Sequence, residues 1–155
     1  MTIDPLAISS NGIQETVRLL QHATERECVL LWLGRRNGKV QSIIEVFRPT
    51  QNASADYFEI PRVGMLELME RLRTQGLYVA AQVHTHPREA FHSQADDKWA
   101  IVRHQGAISI VLPYFAKNTH LRNFLTEAAF FQLSHSNSWV PVDSAALNNV
   151  IRISP

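Results

Sequence analysis

Val83-His84-Thr85-His86-Pro87, followed by Ser93 and Asp96, sets two imidazoles, a hydroxyl and a carboxylate close together in the chain. Two neutral imidazoles and a carboxylate are a ligand set for zinc, and three protein ligands leave one position open for water. A structural zinc would call for several cysteines, and the chain has one, Cys28. The chemistry on offer is therefore activation of water.

The spacing depends on how the flanking chain is folded. Leu77–His84 is an apolar run with β-branched and aromatic residues after Gly76, and it reads as a buried strand. On an extended chain, residues i and i+2 share a face, so His84 and His86 can converge on one point. Pro87 disfavours helix at His86 and prolongs the extension. Arg88–His92 supplies a loop. Ser93-Gln94-Ala95-Asp96 then reads as a helix start, with Ser93 at the N-cap and Asp96 in the first turn beside the histidines. Asp97 is a rival for Asp96. Successive helical residues point about 100° apart, so one of the two ligates and the other faces elsewhere.

The His84-Thr85-His86-Pro87 and Ser93-x-x-Asp96 pattern resembles the JAMM motif of the MPN+/JAB metalloprotease family. In that family a remote Glu often stands seven residues before a Gly, across a short apolar strand. Glu27 and Gly34 have that spacing, and Glu25 does not. The loop before Ser93 looks one residue shorter than in the best-known eukaryotic members, and Leu30 stands where a small residue is often found. The likeness spans roughly residues 13–142. It implies zinc held by His84, His86 and Asp96, with Glu27 as general base and Ser93 donating to the oxyanion. Zinc would bring the pKa of its water toward ~7 and polarise the scissile carbonyl. A non-catalytic scaffold of the same fold is the alternative outside enzymes, and it would take up no stoichiometric zinc.

The resemblance also implies a substrate. Compact bacterial members act on ubiquitin-like proteins, cutting after the C-terminal glycine, alongside E1-like and E2-like partners that include antiphage operons. Processing of a sulfur-carrier protein in biosynthesis uses the same site, and genome neighbours would separate the two. A DNA-repair-associated relative shares the His-x-His-Pro segment. It usually carries a Gly/Pro-rich loop after it, which Arg88–His92 does not resemble.

Around this centre the pattern predicts a mixed α+β sheet with packed helices, the MPN/JAB (cytidine-deaminase-like) fold, as one domain over 1–155. A helix is expected over about 13–24, after Asn11-Gly12. A strand over 27–35 turns at Asn37-Gly38 into a return over 39–48. Gln51–Ala55 reads as a polar loop and Tyr57–Ile60 as a short strand. Pro61 opens a helix to about Gln75, its apolar stripe being Val63, Leu66 and Met69 with Leu68 and Leu72. The Ser93 helix is expected to reach about His104, and Gly106–Pro113 to be a buried strand. Lys117–Glu127 reads as a surface loop. Ala128–Leu133 and Trp139–Val142 read as a strand pair, and Ile151–Ile153 as a last short strand. His92 reads as a loop residue and Trp99 as core packing.

Composition narrows the partners. A net charge of +1 argues against nucleic acid and lipid surfaces. No stretch approaches the ~20 apolar residues of a transmembrane span. The first residues show neither a basic n-region nor an apolar h-region, so a cytoplasmic enzyme is expected. Cys28, inside the Glu27–Gly34 strand, reads as a small core hydrophobe.

Overall fold

Alternating and continuous apolar runs build a central sheet, seen in a computed structural model that describes residues 3–90 and 101–155. The described elements are β1 (Leu6–Ser9), α1 (Ser10–His22), β2 (Val29–Asn37), β3 (Val40–Phe47), the short strands β4 (Asn52–Ala53) and β5 (Phe58–Glu59), and α2 (Arg62–Gln75). They continue with β6 (Tyr78–Thr85), β7 (Ile108–Leu112), α3 (Phe124–Glu127), β8 (Ala129–Leu133), β9 (Trp139–Pro141) and β10 (Ile151–Ser154). Eight strands form one sheet in the order β10-β1-β3-β2-β6-β7-β8-β9, and β4 pairs with β5. β2 is antiparallel to both β3 and β6, whereas β6 and β7 are parallel. Among the described residues, no helix is long and apolar enough to cross a membrane.

The two sheet faces bury different residues, as strand alternation requires. Cys28, Leu30 and Trp32 of the β2 segment, with Ala81 and Val83 of β6, share a core with Ile13, Val17 and Leu20 of α1. Val29, Leu31 and Leu33 point the other way, into a second core with Phe58, Leu77 and Leu68 of α2. Trp32 joins the first core by its indole N–H, which donates to Thr16 Oγ1, and by stacking on Phe124. Phe124 is fully buried. The segment read as a surface loop is thus pinned to the core at its far end.

Several expectations shift. α1 begins before Asn11-Gly12, because Ser9 is the N-cap and its hydroxyl accepts the N–H of Gly12. The hairpin turn falls on Gly38 and Lys39, with Gly38 at φ 63° and Asn37 already paired to Val40. Residues 101–104 are irregular rather than the end of a helix. β1, too short to announce itself, lies parallel between β3 and β10.

The main correction concerns α2. Val63, Leu66 and Met69, expected to face the core, are 51–60% exposed. Leu68 and Leu72 of the expected stripe do pack inward, and Gly64 and Met65 join them in place of the other three. α2 carries two apolar rows, so periodicity alone does not choose between them. Backbone contact does. A Cβ on Gly64 would lie 2.2 Å from the carbonyl oxygen of Thr50, a close approach only glycine allows. One turn on, the Glu67 carboxylate accepts the N–H of Thr50 at 2.9 Å. Hydrogen bonding from the Thr50 side chain, and then from its backbone, holds the Glu67 carboxyl below its ordinary range.

Candidate metal centre and active site

β6 ends in the two histidines. His84 is paired in register with Val29 of β2 and with Val111 of β7. His86 prolongs the strand by one step. Its N–H donates to Leu112 O at 2.9 Å, and its C=O accepts the N–H of Phe115 at 2.8 Å. The rings stand side by side, centroids 5.2 Å apart and planes at 48°. His84 is 0% exposed and His86 3%. Phe58 of β5 closes one side, its ring 5.6 Å from that of His84.

These rings fit a shared metal ion. Imidazole nitrogens bonded to one tetrahedral zinc at ~2.0–2.1 Å put the ring centroids about 5 Å apart, and the pair already has that spacing. Among the described residues, no three His, Cys, Asp or Glu side chains gather closely enough to hold a metal by themselves.

Glu27 comes from the strand next door. The Val29↔His84 register, continued outward, sets Glu27 opposite His86. The N–H of Thr85 donates to the C=O of Cys28, and Thr85 Oγ1 accepts the N–H of Cys28. Alternation then puts Glu27, His84 and His86 on one face, the face that carries α2. Glu27 is buried, at 6% exposure, so it is no ordinary solvent-facing acid at a strand start. Glu25 is exposed at φ 54°, and its carboxylate pairs with Lys117 at 3.1 Å. Gly34, the other end of the spacing, sits where β2 shifts register against β3, one residue after its shift against β6 at Trp32/Leu33. A Cβ there would meet Ser42 O at 3.1 Å and Ala80 Cβ at 3.2 Å.

Two supports escaped the sequence reading. Gln51, placed there in a polar loop, acts as a substitute strand. Its Oε1 accepts the N–H of Val29 and its Nε2 donates to the C=O of Val29, both at 2.9 Å. Nearby, the N–H of Glu27 donates to Ser54 O. Residues 51–54 therefore hold the start of β2, and with it Glu27. The second support is a left-handed turn, Tyr114–Ala116, with φ of 54°, 53° and 60°. Each non-glycine residue in that conformation costs roughly 1–2 kcal/mol. The turn points the N–H of Phe115 at His86 O and that of Tyr114 at Arg88 O. Tyr, Phe and Ala carry no local signal for such a turn.

Ser93 and Asp96, with the rival Asp97 and with His92 and Trp99, lie in 91–100, outside the described residues. Cys28 is fully buried beside the site, and burial pushes its thiol above the ordinary range, with Arg48 pulling the other way. A cavity of about 840 Å³ opens elsewhere, between Asp4, Pro5, Val142 and Asn149, and none of the candidate residues lines it. The site is located by its chemistry and not by that hollow.

Residues 9–124 match the family described as prokaryotic homologs of the JAB domain. The probable metalloprotease y4jG of Sinorhizobium fredii is 30% identical over 131 residues, covering 82% of this chain and 79% of that protein. A solution structure of a protein from Desulfitobacterium hafniense superposes with a TM-score of 0.70 at 15% identity, covering 96% of this chain and 92% of the other. The crystal structure of a JAB1/MPN domain protein from Archaeoglobus fulgidus superposes with a TM-score of 0.54 at 13% identity, covering 96% and 99%. The mixed α+β fold expected from the sequence is the fold of these neighbours.

Proposed function

The chain belongs to the prokaryotic JAB domain family, and from that premise we propose that it is a zinc-dependent peptidase or isopeptidase that cuts after the C-terminus of a ubiquitin-like protein. The observation that carries this reading is the gathering of buried Glu27, His84 and His86 on one sheet face. In it, His84 and His86 hold the ion, and Asp96 is the third ligand. Zinc, when bound, lowers the pKa of a water and polarises the carbonyl to be cut.

The protein's own groups do the rest. Glu27 takes a proton from the attacking water and passes it to the leaving amine. Its burial keeps bulk water from competing for that proton. Ser93 donates to the developing oxyanion. The outer row of α2, Val63, Leu66 and Met69, supports a protein substrate over a short peptide. It is exposed, apolar and on the helix that packs against Phe58, itself in contact with His84.

The test mixes purified protein with a ubiquitin-like protein extended past its C-terminal glycine, and measures cleavage and bound zinc. Wild type should carry about one zinc and cut at the glycine. Glu27→Ala should keep the zinc and lose at least ~10²-fold in kcat, the low end of general-base contributions. Leu66→Asp should slow the fusion but spare a short glycine-terminated peptide amide. Equal cleavage by Glu27→Ala, or a wild type without zinc, sinks the mechanism.

A further inference from the structure

Gln82 is a polar side chain in the middle of a core strand. It is 1% exposed and lies two residues before His84 on β6. Register pairs it with Leu31 of β2 and Ser109 of β7, which puts it on the α2 face in line with His84. Its two amide atoms have different partners. Nε2 donates to Ser109 Oγ at 3.2 Å, and Oε1 accepts the backbone N–H of Ile101 at 2.9 Å.

The second bond is the informative one. Ile101 follows Asp96 by five residues and packs into the core beneath α2. A methionine at 82 would fill the same space without burying a polar group that demands partners. What the amide adds is a fixed point for the returning chain, on the strand that carries both histidines.

We propose that Gln82 is a positioning residue. It fastens the chain at Ile101, five residues after the proposed third ligand, and so fixes where that chain rejoins the core beside the histidine strand. This rests on the function proposed above, in which Asp96 is the third ligand. Gln82 touches neither substrate nor metal in this role; it acts through the backbone it holds.

Gln82→Met removes both hydrogen bonds at nearly constant volume. Gln82→Glu keeps an acceptor for Ile101, and the Ser109 hydroxyl can turn to donate to its other oxygen. Each variant is measured for zinc affinity against a chromogenic chelator, for melting without zinc, and for kcat and KM on the fusion. Gln82→Met should bind zinc about 10-fold or more weakly, in the range seen when groups behind a metal ligand are removed. Its kcat should fall with KM nearly unchanged, and its zinc-free form should melt lower than wild type, because the Ile101 N–H loses its acceptor. Gln82→Glu should restore most of the affinity. A Gln82→Met that binds zinc like wild type overturns the proposal. So does a Gln82→Glu that regains the melting temperature but not the zinc affinity, because the amide then only supports the fold. A wild type that binds zinc but leaves the fusion intact defeats the proposed function alone, and the affinity comparison still decides the role of Gln82. A wild type that takes up no zinc overturns both.

Discussion

At the scale of single residues, identity and spacing say most about chemistry, and burial says which copies of a residue type matter. Glu25 and Glu27 are two apart, yet one is exposed and paired with Lys117 while the other is buried opposite His86. No property of a glutamate distinguishes them; their backbones do, since Glu25 sits at φ 54° before the strand begins. Cys28 shows the same logic for a thiol. It is next to the proposed base, but it points to the α1 face and burial raises its pKa. Reactive cysteines need a lowered pKa and access. Cys28 should therefore resist iodoacetamide in the native protein and label fully in denaturant, as mass spectrometry would show. Rapid labelling of the folded protein would contradict its place in the core.

At the scale of elements, backbone contacts decide what periodicity leaves open. The Glu27–Gly34 strand and the His84–His86 strand were legible because alternation and the His-x-His spacing agree. The face of α2 was not, because two apolar rows share the helix and the choice rests on Gly64 against Thr50 O. Gly64→Ala tests this. In an exposed helix the change would gain up to ~1 kcal/mol from propensity. Here the added methyl meets a carbonyl, and a loss of roughly 1–3 kcal/mol is expected from overpacking. Urea unfolding measures it, and a stabilised variant would show that α2 does not sit on Thr50. Gln51 and Ser54 teach a related lesson. Loop composition marks 51–55 as polar, but only the fold shows those polar groups completing the edge of β2.

At the scale of the whole molecule, the sheet order turns distant segments into one site. Glu27 and His86 are 59 positions apart in sequence and become neighbours because β2 and β6 pair antiparallel. If zinc is held only by the folded chain, saturation at a hundredfold excess over Kd adds about 2.7 kcal/mol. For a domain of this size that is worth roughly 5–10 °C in Tm. Chelation should lower the melting temperature by that amount and added zinc should restore it; a Tm that ignores both would count against a resident metal. By itself the sequence determined the local chemistry: two histidines on one face of a strand, a remote glutamate at a fixed spacing from a glycine, and a core-forming composition. These are legible because side-chain direction in a strand follows from residue parity alone. Only the tertiary structure decided which glutamate is buried, which row of α2 is covered, and what holds Glu27 and His86 in place. Those outcomes depend on register between strands, on one carbonyl approached by a glycine, and on a left-handed turn stabilised by hydrogen bonds to residues 86 and 88. Such contacts join parts of the chain whose separation no local pattern records.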